Sequence, residues 1–264
     1  MRDSGTASAQ RGLAASLVSV HVGNRMLVNE LSIEFAPGEM VAILGCNGSG
    51  KTLTLHTLAG LRAPDAGTVY LDGLPFEQHT RRAAALRLGL LAQDLEDAFV
   101  TTALEMVLIG RHPHLSLWQW ETAADEHIAQ EALAAVDLDR NFATRRTNTL
   151  SGGEQRRVAI AALLAQQPGI FLLDEPTNHL DPHHQIGVLS LFRELARGGS
   201  TVVTTLHDPT LAARFADRVL LLFGDGRWSA GPVGETLTAQ ALSALYNYPM
   251  LELQKDGRRV FVSA

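Results

Sequence analysis

The sequence predicts an α/β fold built on a mostly parallel sheet, and three observations carry that expectation. Short strand-like runs (Met40 to Leu44, Ile170 to Asp174, Thr201 to Leu206 and Arg218 to Phe223) are separated by longer stretches with helical spacing, the order expected of βαβ units. A glycine-rich loop lies between one such strand and the helix after it, from Gly45 to Thr52. The composition is globular, with 46% hydrophobic and 19% charged residues in a chain of 264, which is ample to bury a core.

Taken in order, Leu17 to Val22 and Leu31 to Phe35 read as strands. Pro37-Gly38 turns the chain into the apolar run Met40 to Leu44, and a helix is expected from Lys51 to Leu61. Thr68 to Leu71 is a further strand, turning at Asp72-Gly73, followed by a helix over 81–88 and a short strand from Leu88 to Leu91. Between 94 and 150 the apolar spacing is helical (Ala103 to Ile109, Ala123 to Val136), which predicts a small helical subdomain. Helices at Gly153 to Ala165, His183 to Ala196 and Thr210 to Phe215 then alternate with the remaining strands. Residues 245–264 read as an extended tail with a turn at Asp256-Gly257, and residues 1–12 as a loose polar tail.

Charge and cysteine usage narrow the function classes. The net charge of -6 provides no global basic field, so nucleic acid is not an expected partner. A single cysteine, Cys46, allows no intramolecular disulfide and fits a reducing compartment. No apolar run approaches the ~18 residues of a membrane span, and Met1 to Gly12 has no apolar segment typical of a secretory signal. A soluble cytoplasmic protein is expected.

The loop Gly45-Cys46-Asn47-Gly48-Ser49-Gly50-Lys51-Thr52 fits G-x-x-x-x-G-K-[ST], between a buried strand and a helix. Glycines let backbone N–H groups approach phosphate oxygens, and the helix start adds unpaired N–H groups and a positive dipole end. Lys51 can reach the β- and γ-phosphates, and the Thr52 hydroxyl can ligate Mg²⁺. This predicts a phosphate-loop nucleotide triphosphatase without saying which.

Gly169 to Pro176 is an apolar strand ending in Asp174-Glu175. Beside a phosphate loop, Asp174 would hold Mg²⁺, directly or through water, and Glu175 would polarise the attacking water. Leu150-Ser151-Gly152-Gly153-Glu154-Gln155-Arg156 is a second glycine-rich helix start and so a second anion site. A dimer gives it a use, if each copy's second site closes on the other copy's γ-phosphate.

With this stretch the sequence closely resembles the ATP-binding-cassette family, from about Leu17 to Leu245. Gln93 falls at that family's glutamine loop, Asn178-His179-Leu180-Asp181 at its dimer-contact loop and His207 at its switch histidine. The resemblance implies one cassette domain over 13–264 with a helical subdomain at 93–150. Its core would be RecA-like, a phosphate-loop fold with a mostly parallel sheet, joined by an antiparallel β subdomain. It also implies a head-to-tail dimer with two ATP molecules, each between Gly45–Thr52 of one copy and Ser151–Gly153 of the other, with Asp181 at the contact. Glu175 would be the base, His207 would hold it and the γ-phosphate in register, and Gln93 would act at the catalytic centre and join Thr52 and Asp174 around Mg²⁺. Val22 stands where the family usually has an aromatic residue stacking on adenine, so either His21 substitutes or apolar contact holds the base. Cys46 stands where proline or another small residue is frequent, and is either a reactive thiol or an inert filler.

One cassette, without fused membrane spans or a sustained heptad, matches the separate ATPase subunit of a transporter. The segment Ile109-Gly110-Arg111-His112-Pro113-His114 is similar to ATPases of importers for iron siderophores, haem and vitamin B12. Cobalamin, ferric siderophore and haem are the implied cargoes, with cobalamin slightly ahead on overall resemblance. A polytopic membrane permease and, indirectly, a substrate-binding protein are the implied partners, at the cytoplasmic face of the inner membrane. Trp118 and Trp120 either shape a docking surface for the permease or belong to the core. A soluble cassette ATPase regulating a cytoplasmic or nucleic-acid partner is the alternative function.

Overall fold

The computed structural model describes residues 12–93, 101–116 and 118–264. The tail expected over 1–12 lies, except for Gly12, outside the described residues, and so do residues 94–100 of the expected helical segment.

The chain opens with an antiparallel pair, β1 (Leu13–Val22) and β2 (Arg25–Phe35). Both strands are longer than the hydrophobic alternation indicates. The pairing slips between Ala15 and Val18, with Leu17 exposed at φ 52°. Glu30 in β2 is likewise left-handed at φ 50°. A bulge breaks the period of two, so the alternation is legible only on one side of it. β3 (Met40–Leu44) leads into the glycine loop and α1 (Lys51–Leu58). β4 (Ala66–Leu71) and β5 (Leu74–Pro75) complete a four-stranded sheet in the order β2-β1-β4-β5.

α2 (Arg81–Arg87) and β6 (Leu88–Leu91) precede a helical region containing α3 (Ala103–Leu108) and α4 (Ala123–Ala134). α5 (Gly152–Gln166), β7 (Ile170–Leu173), α6 (Pro182–Arg197), β8 (Thr201–Thr205), α7 (Pro209–Phe215) and β9 (Arg218–Leu222) follow in alternation. The central sheet runs β10-β9-β3-β8-β7-β6, where β10 (Trp228–Pro232) is the antiparallel edge and the other five strands are parallel. The expected α/β class, with its antiparallel β and helical subdomains, is present.

Both faces of this sheet are covered. Met40, Ala42, Leu44, Phe171 and Leu173 point into a core shared with α3 to α7, while Val41, Ile43, Ile170 and Leu172 point into one shared with α1, β1, β2 and β4. Burial on both faces explains why these strands read as unbroken apolar runs.

The Gly110-Arg111-His112-Pro113-His114 segment forms a 3₁₀ turn that locks the helical region to α5. A Cβ on Gly110 would stand 2.1 Å from the Ala162 carbonyl oxygen, so only glycine permits this approach. The buried Arg111 donates to Asp125 at 2.9 Å, to the Ala165 carbonyl at 2.7 Å and to Gln167 at 2.9 Å. His114 Nε2 meets the Gln166 carbonyl at 2.8 Å. Arg111 and His114 are thus spent inside the protein. Trp118 and Trp120 are not core residues, being 95% and 85% exposed.

The end of the chain is more ordered than an extended tail. α8 (Val233–Thr236) and α9 (Ala239–Tyr246) precede a hairpin of β11 (Met250–Lys255) and β12 (Arg258–Ser263), which turns at Asp256-Gly257 as expected. Neither helix, nor β10, was anticipated from the sequence. No helix among the described residues is long and apolar enough to cross a membrane.

Candidate active site

The ends of β3, β7 and β8 converge on one cleft. The glycine loop after β3 is shaped by positions that admit no side chain. A Cβ on Gly45 would lie 2.3 Å from Ser49 Oγ and 2.6 Å from the Leu222 carbonyl oxygen. Gly50 caps α1 at φ 100°, with Leu27 of β2 closing over it. No side chain caps this helix start. Ser49 Oγ is buried without a hydrogen-bond partner among the described residues. Lys51 is buried and folds back onto its own loop, donating to the Gly45 carbonyl at 2.9 Å and the Cys46 carbonyl at 3.3 Å. Burial pushes its pKa down, against the opposing pull of Glu175 and Asp174.

Asp174 is fully buried. Its Oδ1 accepts from the Thr205 hydroxyl at 2.7 Å, while its Oδ2 has no hydrogen-bond partner among the described residues. A buried carboxylate oxygen left open is an exception that calls for a ligand, and a hard oxygen donor suits a divalent cation such as Mg²⁺. The same Thr205 hydroxyl accepts the Glu175 N–H at 2.8 Å. One side chain at the end of β8 therefore orients both acids.

Glu175 is buried and left-handed at φ 49°. Its Oε1 accepts from His207 Nε2 at 2.6 Å, and its Oε2 accepts from the Asn178 amide. Each carboxylate oxygen has a second lone-pair direction, which leaves room for a water.

The cleft, of about 530 Å³, is lined by Asn47, Gly48, Gly50, Lys51 and Thr52 of the loop together with Gln93, Glu175 and His207. Its outer wall is Val22, Arg25 and Leu27. The expected place of Val22 on this wall is thus occupied by an aliphatic side chain, with the Arg25 guanidinium beside it, tied to the Gly224 carbonyl at 2.9 Å. His21 does not line the cleft; its backbone N–H and ring instead face Asp65. Cys46 also lies off the cleft wall, with its exposed thiol directed to the Leu245 carbonyl at 3.2 Å.

Ser151, Gly152, Gly153 and Asp181 do not line this cleft. Ser151 caps α5, accepting the Glu154 N–H at 3.3 Å while its own N–H donates to Glu154 Oε2 at 2.7 Å. Asp181 caps α6 through the His184 N–H at 3.0 Å. Sequence reasoning missed Thr205 and Arg25, and it missed the bond from Asn178, expected only at a dimer contact, to Glu175. Thr205 is one of three threonines in the five-residue strand β8, so nothing in the sequence sets it apart.

A family model for ABC transporters matches residues 28–178, more than half of the chain. The hemin import ATP-binding protein of Streptomyces coelicolor is 40% identical over 239 residues, covering 90% of this chain and 84% of its own length. The ferric enterobactin transport ATP-binding protein of Escherichia coli is 36% identical over 235 residues, covering 89% and 86% respectively. Among solved structures, an inward-facing metal-chelate type ABC transporter superposes with a TM-score of 0.83 at 29% identity, over 96% of this chain and 98% of that one. A dimeric ATP-binding cassette bound to ADP and Pi gives a TM-score of 0.73 at 29% identity, over 84% and 98%. With the glycine loop, the two acids and the histidine gathered at the C-terminal ends of β3, β7 and β8, the chain belongs to the ABC transporter family and is one of its ATPases.

Proposed function

We infer that this chain is the ATP-hydrolysing subunit of an importer for an iron chelate, haem or a ferric siderophore. It works as one cassette domain over 13–264, with 93–150 as its helical subdomain. The observation that carries the catalytic reading is Glu175 facing Lys51 across one cleft, with Asp174 buried beside it and close enough to act on Lys51, one of its carboxylate oxygens open among the described residues. The cargo reading is supported by relatives named for hemin and ferric enterobactin import. Those names give cobalamin no support, and they favour an importer over a soluble regulatory cassette.

In this mechanism the loop N–H groups and the α1 start receive the triphosphate. Lys51 exchanges its two loop carbonyls for phosphate oxygens. Thr52, Asp174 and Gln93 would hold Mg²⁺, which when bound neutralises charge on the phosphates. Glu175 takes a proton from the attacking water, and His207 keeps that carboxylate in place. A second copy supplies Ser151 to Gly153 and Asp181, completing each site from outside. Bound peripherally at the cytoplasmic face, the chain would pass the resulting closure and opening to a polytopic membrane permease fed by a substrate-binding protein.

The test is reconstitution with the permease in vesicles. ATP-dependent entry of haem or a ferric siderophore, absent with Glu175→Gln, is the expected result. Entry of cobalamin with neither iron chelate would overturn the cargo reading and leave the catalytic one standing.

A further inference from the structure

We propose that Arg156 is a positioning residue that holds the Gln93 segment and the Asp174-Glu175 turn in one geometry. Arg156 lies in α5 just past its glycine-rich start, and is 4% exposed. One guanidinium nitrogen donates to the Ala92 carbonyl at 2.5 Å and the Gln93 carbonyl at 3.3 Å. The other donates to the Asp174 carbonyl and to the Glu175 carbonyl at 2.9 Å.

These four carbonyls belong to the C-terminal exits of two neighbouring strands. β6 and β7 pair in parallel, with Leu91 opposite Leu173, and the ladder ends with the Asp174 N–H donating to the Leu91 carbonyl at 2.9 Å. Among the described residues, no backbone pairing between the two strands follows that bond, and the Arg156 fork takes over. One of the exits carries Gln93, which lines the cleft, and the other carries Glu175. The fork is anchored on the helix whose first residues are Ser151, Gly152 and Gly153. A displacement of that helix start therefore moves both strand exits together.

The planar guanidinium suits this role because its two amino groups diverge at a fixed angle and reach two pairs of acceptors at once. An ammonium is a point charge on a flexible stem and cannot span them with the same rigidity. Burying a guanidinium is costly unless its protons are satisfied, so a fork placed here constrains the loops around it as firmly as they constrain it.

The proposal rests on Glu175 being the general base, and the experiment separates the two. Steady-state ATP hydrolysis and nucleotide affinity are measured for the full chain, for Arg156→Lys and Arg156→Gln, and for each of these combined with Glu175→Gln. Arg156→Lys is expected to lower kcat between about ten- and a hundredfold, the scale of a misplaced catalytic group, with KM and nucleotide affinity changed less than about twofold. Arg156→Gln should fall further. In the Glu175→Gln background each change should lower the residual rate by a much smaller factor, because the base is gone and only the Gln93 segment remains to be positioned. Unchanged kcat in Arg156→Lys overturns the proposal, and so does a loss of nucleotide binding in parallel with turnover, which would assign Arg156 to general architecture. Full turnover by Glu175→Gln alone would overturn the base reading instead.

Discussion

Two glycine-rich helix starts invite comparison, those of α1 and α5. In the sequence they look alike, each a turn of small residues that could cradle an anion. In the structure they differ in what they leave unsatisfied. Among the described residues, the α1 start has no side-chain cap, its Ser49 hydroxyl is buried without a partner, and Lys51 bonds to carbonyls of its own loop. The α5 start is exposed and closed on itself by the reciprocal Ser151–Glu154 cap. Glu154 is held below the usual carboxylate range chiefly by the Ser151 N–H, so its charge already occupies the helix end. An open buried start is a site awaiting a ligand, whereas a capped exposed one is a surface that has to be approached by something else.

The sharpest way to break this contrast is to remove the base on the α1 side. Glu175→Gln keeps the size and the His207 neighbour but cannot take a proton. It should lower ATP turnover by about 10²- to 10⁴-fold with nucleotide binding intact, as measured by phosphate release and equilibrium binding. Undiminished phosphate release would move the chemistry elsewhere.

Next come the two helix starts themselves. Lys51→Ala should weaken nucleotide binding by roughly ten- to a hundredfold, the loss of a charge-assisted hydrogen bond worth about 1.5–3 kcal/mol. Ser151→Ala should leave binding to a single copy unchanged and reduce ATP-dependent dimerisation, followed by size-exclusion chromatography. Equal effects in the binding assay would erase the distinction between the two starts.

A smaller effect is expected at Thr205. Thr205→Val keeps the shape and removes the hydroxyl shared by Asp174 and the Glu175 N–H. Stranding these groups should cost about 1–3 kcal/mol in chemical denaturation and raise the Mg²⁺ concentration needed for half-maximal turnover. Stability and Mg²⁺ dependence matching the unaltered protein would show that the hydroxyl is idle.

Much of this was legible in the sequence, and the reason is physical. Strands buried on both faces leave apolar runs, and a phosphate loop leaves glycines at fixed spacing. Val22, Lys51, Glu175 and His207 were all expected at one site, and all line or border it. The illegible parts depend on distance rather than order. Thr205 sits in a strand thirty residues beyond the acids it orients. Asn178 belonged to a loop read only as a dimer contact, yet it donates to Glu175. The bulges in β1 and β2 hid half of each strand.

The mildest expected effect concerns acid stability, away from both helix starts. The N–H and hydroxyl of Thr122, then Arg111, hold Asp125 down to about 2. Because its folded pKa lies below the unfolded value near 3.9, its contribution is fully present above about pH 4 and is lost as the pH falls through about 2. Thermal melts should therefore separate the unaltered protein from Asp125→Asn at neutral pH and converge towards pH 2. A gap that stays constant across that range would mean the carboxylate charge is not what holds Arg111.

The order of the central sheet has a consequence for how the molecule is made. β3, which carries the phosphate loop, lies between β8 and β9, so Val41 pairs with Val203 on one side and with Arg218 on the other. A ribosome releases the loop long before it releases either neighbour. At roughly 5–20 residues per second, the strand waits on the order of 10 to 40 s for its flanks, an apolar segment with unpaired edges. The four-stranded antiparallel sheet, by contrast, draws only on early residues and can form at once. During synthesis the strand that carries the phosphate loop is therefore flanked on both sides only after Leu222 has been made, long after the loop itself.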